Sequence, residues 1–297
     1  MENNMQHFIL QLINGLQLGS IYALIALGYS MVYGIIRLLN FAHGDILMIG
    51  AYVALFALGS YFSPWIVVVA TVVACTLLAV LIEKLTYKPL RNAPRLSVLI
   101  TAIGISMFLQ NIAQYFFGAA GRSFPVHLML TPQNFQFGNI LISNNSIITI
   151  VATILSMVLL TFIVKSTRLG KAMRAVSQDA DAARLMGVNV NNVITFTFAV
   201  GAALAGVGAI LYSLRFPLVM PTIGAMLGLK AFVAAIVGGI GSIPGAMIGG
   251  YVIGLLEVLV IAVGLSGWTD GIVFLLLIIV LMVKPTGIMG KNIMEKV

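Results

Sequence analysis

Residues 40–45, Asn40-Phe41-Ala42-His43-Gly44-Asp45 (NFAHGD), interrupt an otherwise apolar stretch. They follow INGLQLGSIYALIALGYSMVYGIIRLL, residues 13–39, and precede ILMIGAYVALFALGSYF, residues 46–62. An amide, an imidazole and a carboxylate within six residues of such a run have two compatible readings. In one, Asn40 or Asp45 caps the incoming helix, with a negative side chain near its N-terminal dipole and a backbone turn at Gly44. In the other, the motif marks a break inside a bilayer, where discontinuous helices build solute sites and ionisable groups face a wet cavity. One His and one Asp are too few to hold a metal, so no metal ligands are assigned. No nucleophile accompanies His43 and Asp45, since Ser30 and Tyr33 read as ordinary residues of the apolar run, and no catalytic residues are assigned. The motif therefore reads as a hinge between the first two apolar segments, in contact with a translocation path through Asn40, His43, Gly44 and Asp45.

The rest of the composition places that hinge in a membrane. Of 297 residues, 61% are hydrophobic and 8% charged, and the mean hydropathy is +1.10. Soluble domains carry about 25% charged residues. The class is thus an all-α polytopic integral membrane protein, a bundle of about 8–9 transmembrane helices in one permease domain over 1–297, with lipid around it. The net charge of +8 does not point to nucleic acid, because the basic residues interrupt apolar runs as membrane loops do. Cys75 is the single cysteine, so no intrachain disulfide forms and it reads as a packing residue. The first apolar run is too long for a signal peptide's apolar core and reads as a retained span.

Nine segments approach the ~20 residues that a crossing helix needs: 8–34, 44–60, 64–83, 97–117, 146–164, 191–212, 225–241, 245–264 and 269–284. The stretch from 225 to 264 is nearly continuous, which leaves room for one re-entrant segment. Basic residues gather in three places: Lys84, Lys88, Arg91 and Arg95; Lys165, Arg168, Lys171, Arg174 and Arg184; and Lys284, Lys291 and Lys296. Even numbers of spans separate the three groups, so all three can face the cytoplasm under the positive-inside rule. The N-terminus then lies outside, the C-terminus inside, and the stretch 118–146 becomes an outer loop. Gly241, Gly245 and Gly249, and Gly250 and Gly254, recur every four residues, as expected where helix backbones pack closely.

Between the fifth and sixth segments lies STRLGKAMRAVSQDADAARLMGVNVNNV, residues 166–193. The spacing predicts a short helix with Ala172, Val176, Ala180, Ala183 and Met186 on one face, Asp179 or Asp181 opening its last turn and Gly187 ending it. It is either a connector on the surface or a coupling element, about 165–190, that inserts into a partner's groove. DAARLMG, Asp181–Gly187, resembles the E-A-A-x-x-x-G element of ABC importer permeases, with Asp in place of Glu and without the Leu-Pro that usually follows. The larger pattern is similar to the branched-chain amino-acid ABC permease family, in particular its smaller permease subunit, and to relatives for ribose and for urea or amides. It is carried by TRLGKAMRA, by residues 14–52, by LKAFVAAIVGGIGSIPGAMIGGYVIG at 229–254 and by KPTGIMG at 284–290.

That resemblance implies a multi-pass protein of a bacterial inner membrane, moving branched-chain or other apolar amino acids inward. It implies a second homologous permease subunit, two cytoplasmic ATPase subunits and an extracytoplasmic solute-binding protein, with ATPase coupling at Arg174, Asp181, Ala182, Ala183 and Gly187. The chain has no G-x-x-x-x-G-K-[ST], since Ala172 follows Gly170-Lys171 and Asn292 follows Gly290-Lys291. No bound cofactor and no enzymatic activity are therefore expected of this chain, with ATP hydrolysed by its partners. Urea or a short amide is the alternative cargo. An ion-coupled secondary transporter is the alternative class, and it would want several buried acidic ligands where only Glu257, Asp45 and Asp270 offer themselves. Gln110, Asn111 and Gln114 read as either interhelical glue or a polar path. Glu257 needs a partner. Lys230 is a candidate, although snorkelling of Lys230 to the outer surface is the preferred reading.

Overall fold

A computed structural model of the chain describes residues 2–91, 93–137 and 140–290. Lys291 and Lys296 of the basic tail lie outside the described residues. The helices are α1 (Glu2–Ile36), α2 (His43–Gly59), α3 (Pro64–Ile82, extended by a π turn, Glu83–Tyr87), α4 (Arg95–Phe117), α5 (Val126–Met129) and α6 (Asn144–Ser166). They continue with α7 (Arg168–Gln178), α8 (Ala180–Leu185), α9 (Val190–Arg215), α10 (Ile223–Gly238), α11 (Ile243–Ala262) and α12 (Thr269–Val283). All nine apolar segments form helices, but not all are of crossing length. Among the described residues seven are long and apolar enough to span a bilayer, α12 together with the 3-10 turn Ser266–Trp268 that precedes it, whereas α2 with 17 residues and α10 with 16 are shorter.

The core is organised around α1, which packs on α6, α9, α10 and α11 and is buried from Gln17 to Val32. Close approach rests on glycines, because in lipid the pull between helices comes from backbone contact rather than from a hydrophobic effect. The glycine repeats of α11 serve two neighbours. Gly250 meets Ala23, and Gly254 meets Gly19, both on α1. Gly245 and Gly249 meet Gly238 and Ala234 on α10. On α9, Gly201 lies against Gly28 and Gly206 against Val72 of α3. The outward faces of α3 (Trp65, Val69, Val73, Leu77), α6 (Val151, Leu155, Phe162) and α12 (Leu275, Ile278, Met282) are exposed and apolar. That is the surface a bilayer solvates.

The basic groups collect at one end of the bundle. The π turn after α3 is tied to the start of α9, where Thr195 donates to Glu83 at 2.8 Å and the Arg91 guanidinium bridges Glu83 and Asn191. The end of α6 and α7 lie beside the end of α1. The segment after Lys284 folds onto the C-terminus of α10 through Ile288 N–H to Val237 O and Met289 N–H to Gly238 O, both 2.9 Å. At the opposite end, the stretch expected as a polar loop is structured. β1 (Arg122–Ser123) pairs antiparallel with β4 (Leu218–Val219), and β2 (Asn134–Phe137) pairs antiparallel with β3 (Ile140–Ser143). Asn144 and Asn145, at the start of α6, tie this cover down by donating to the carbonyls of Thr131 and Leu214 at 2.8 and 3.1 Å.

Gly250 tests the backbone seam directly, because a Cβ there would lie 2.5 Å from the Ala23 Cα. Gly250→Val should cost about 1–3 kcal/mol through overpacking. A thermal melt of the detergent-solubilised protein checks this, with Gly267→Ala, in open space, as the neutral control.

Candidate functional site

Helix α1 ends at Ile36, and the next residue, Arg37, adopts a left-handed backbone (φ 55°) and still donates its N–H to Tyr33 O at 2.8 Å. The chain then turns back along the bundle without regular structure to His43. The imidazole of His43 occupies the space where Gly28 lacks a side chain, and Tyr29 meets its ring edge-on at 4.9 Å. Gly28 stands eight residues before the end of α1, which is about 12 Å of helix. From the other side, Cys75 reaches Ile46 O at 3.5 Å, and Cys75 stands eleven residues, about 16 Å, into α3. Helix α2 therefore starts inside the bundle, well away from both ends. The start of α10 lies beside it. Gly224 and Gly228 of α10 pack on Gly44, so closely that a Cβ on Gly44 would overlap the Gly224 carbonyl. From this shared level α2 runs to the far end and α10 to the basic end.

Neither expected cap forms. Ala42 is the N-cap of α2, with no side-chain cap bond. Asn40 is used differently: its Oδ1 accepts from the Tyr87 hydroxyl at 2.9 Å, and its carbonyl accepts from His43 N–H at 3.1 Å. Tyr87 reaches it because the π turn rotates the end of α3, which buries Glu83 and Tyr87 together. Asp45 lies in the first turn of α2, where a carboxylate suits the dipole, and is completely buried. Its Oδ1 accepts from Gln110 Nε2 of α4 at 3.1 Å, and the same Nε2 lies 3.1 Å from Ser106 Oγ. Asn40 Nδ2, His43 Nε2 and Asp45 Oδ2 are buried without a hydrogen-bond partner among the described residues. A buried polar atom left unpaired costs about 1–3 kcal/mol, so three at one place mark a site rather than plain packing.

The other polar residues divide. Asn111, one position after Gln110, is exposed and bonds only its own helix, at Met107 O. Glu257 is buried elsewhere, in α11, and accepts from the Tyr22 hydroxyl at 2.9 Å. The Lys230 ammonium of α10 lies 2.7 Å from Glu257 and 2.6 Å from Asp270 of α12. Snorkelling to the outer surface was expected of Lys230; the structure instead pairs it with the buried Glu257 as well as with the half-exposed Asp270. Glu83, Tyr87 and Tyr22 carried no signal of their own in the sequence, and only the π turn and the α1–α11 packing bring them into use.

At the basic end the polar segment forms two helices, not one. Asp179 (φ −156°, ψ 108°) breaks the run and caps α8, accepting from the N–H groups of Asp181 and Ala182 at 2.9 Å. The buried face is Gly170, Met173, Val176 and Ala183. Met186, expected on that face, is 85% exposed, and Leu185 is 90% exposed. Gly187 takes φ 83°, with its N–H on Arg184 O and Val188 N–H on Ala183 O, a Schellman stop that only glycine holds without strain. Asp181 and Arg184 form an exposed pair at 3.3 Å, and Ala182 is exposed between them. Arg174 anchors α7 by bonding the Val164 carbonyl of α6.

A multi-pass helical bundle with two short helices starting side by side at a buried polar site is the architecture of a solute permease. The chain belongs to the family described as branched-chain amino acid transport system, permease component, which matches residues 11–282. It is 43% identical over 305 residues to the high-affinity branched-chain amino acid transport system permease protein BraD of Pseudomonas aeruginosa, covering 98% of both chains. It is 41% identical to the corresponding LivH protein of Escherichia coli over the whole of both chains. A probable branched-chain amino acid transport permease of Methanocaldococcus jannaschii is 30% identical over 92% of this chain and 90% of its own.

The ion cluster yields a two-sided expectation. Lys230→Met leaves Glu257 buried without its cation and should cost about 3–5 kcal/mol. Adding Glu257→Gln should restore much of that loss, read as recovery of the melting temperature in the double variant.

Proposed function

We propose that this chain is a membrane-spanning subunit of an ATP-driven ABC importer that moves branched-chain amino acids into the cell. The observation that carries the reading is the α7–α8 element at the basic end. It is short, capped at both ends, anchored to α6 by Arg174, and presents Leu185 and Met186 outward. Two large apolar side chains held out by a rigid turn suit insertion into a groove on a partner, and a rigid element transmits displacement where a floppy loop would absorb it. Asp181, Ala182 and Arg184 form its polar rim, while Ala183 and Gly187 hold its shape. The partners at this end are two ATPase subunits. They bind and hydrolyse ATP, and this chain binds no cofactor and performs no chemistry.

The positive-inside rule then sets the orientation. The basic end faces the cytoplasm of a bacterial inner membrane, with the C-terminus inside and the N-terminus outside. The strand-covered end faces outward, where a solute-binding protein delivers the cargo. A second permease subunit completes the pathway, and ATP-driven closure of the ATPases switches the pair between two packed arrangements. The functions of the relatives matched over their full length favour branched-chain amino acids over urea or amides.

Two measurements check this. Deleting the gene should abolish energy-dependent uptake of labelled leucine and leave uptake of labelled urea unchanged. Replacing Leu185 and Met186 together by Asp should lower leucine uptake more than about tenfold, the effect of losing roughly 1.4 kcal/mol or more of docking energy, at unchanged permease abundance. Normal uptake in that double variant contradicts the coupling role.

A further inference from the structure

Helix α4 leans on the rest of the chain mainly through α2, and its polar residues lie at the edge of that contact. Val98, Ala102, Leu109 and Ala113 form its buried face. Ser106, Gln110 and Gln114 recur every four residues on the flank next to that face, all half-buried, and Asn111 lies exposed beyond them. The fully exposed face of α4 (Ile100, Ile103, Met107, Phe108) is apolar like the outward faces of α3, α6 and α12, and the polar row lies between it and the buried face. Amides in a span face a bundle interior or a wet cavity, not lipid. The α4 flank therefore borders water or another subunit. Behind it, covered by the Gln110 amide and Ser106, stands the completely buried Asp45, with Oδ2 unpartnered among the described residues.

We propose that this flank of α4 is a wall of the solute path, and that Asp45 receives the α-ammonium group of the amino acid in transit when Gln110 swings aside. The proposal rests on the amino-acid reading above. A carboxylate is the natural acceptor for an ammonium shedding its water, and it serves any amino acid whatever its side chain. Gln110 suits the gate. Its amide holds Asp45 through one neutral hydrogen bond, which a cation displaces at little loss, and Nε2 keeps its existing 3.1 Å bond to Ser106 Oγ when Asp45 is released. The glycine contact of Gly44 with Gly224 and Gly228 keeps Asp45 in place while α4, less tightly packed, moves.

The test uses single cysteines at Gln110, Gln114 and, as a lipid-facing control, Ile278, each in a Cys75→Ala background. The complete transporter is reconstituted in vesicles and treated with small membrane-impermeant methanethiosulfonates, one cationic and one anionic. Gln110→Cys and Gln114→Cys should react and Ile278→Cys should not. At Gln110→Cys the cationic reagent should be favoured several-fold over the anionic one, leucine should slow the reaction, and Asp45→Asn should erase the charge preference. Asp45→Asn alone should reduce leucine uptake at least tenfold while the permease still copurifies with its ATPases. Inert cysteines at 110 and 114 overturn the path, and full leucine uptake or an unchanged charge preference with Asp45→Asn overturns the role of Asp45. If the unmodified transporter takes up no leucine while the labelling pattern holds, the amino-acid reading falls and the ammonium falls with it, but the hydrated wall stands.

Discussion

Hydrocarbon offers no hydrogen bonds to backbone groups, so a chain can begin or end a helix inside a bilayer only where protein replaces the water. Helices α2 and α10 both begin inside this bundle, and the rest of the structure is arranged around that fact. Their first turns lie against each other through Gly44, Gly224 and Gly228, close enough that no side chain would fit between them. The unwound segment that leads to α2 is held by Asn40, which is bonded to Tyr87, and by His43, which sits over Gly28. Asp45 places a negative charge where two positive helix ends converge. Small residues along α1, α9 and α11 draw the surrounding helices in tightly enough to shield the break.

The same constraint explains why the charged residues gather as they do. Glu257 is buried but carries Lys230 and Tyr22 against its oxygens, and Lys230 is shared with Asp270. This joins α1, α10, α11 and α12 through side chains that could not stay singly in an apolar medium. At the basic end, Glu83 is completely buried and matched by Arg91 and Thr195. Both clusters bind elements together. Asp45 differs, because among the described residues the side chains that reach it from another helix are neutral, Gln110 and Ser106 of the loosely held α4.

Much of this was legible in the sequence. Length and hydropathy locate every apolar helix, and four-residue glycine spacing marks the seams of α11 and its neighbours. NFAHGD reads as a hinge between apolar segments because few residue sets tolerate such a position. Its depth was not legible, since hydropathy measures length in residues, and a 17-residue helix that starts inside looks like a short span. The capping role expected of Asn40 or Asp45 failed for a tertiary reason: Tyr87, brought in by a π turn, claims the Asn40 side chain. The face expected to include Met186 failed for a local one. Asp179 serves α8 as a cap and so breaks the helix, which turns Met186 outward. The partner of Glu257 lies in a neighbouring helix, and spacing along one chain weighed the choice wrongly for Lys230.

The site exists only if α2 begins inside the bilayer. A cryo-electron microscopy map of the assembled transporter in lipid nanodiscs would show both phosphate planes and the position of His43 between them. His43 should lie more than about 10 Å inside the nearer plane, since eight residues of α1 separate its level from the end of that helix. Gly44 should touch Gly224 there. A His43 at the level of the phosphates, with α2 crossing the bilayer from face to face, would contradict a start inside the bundle.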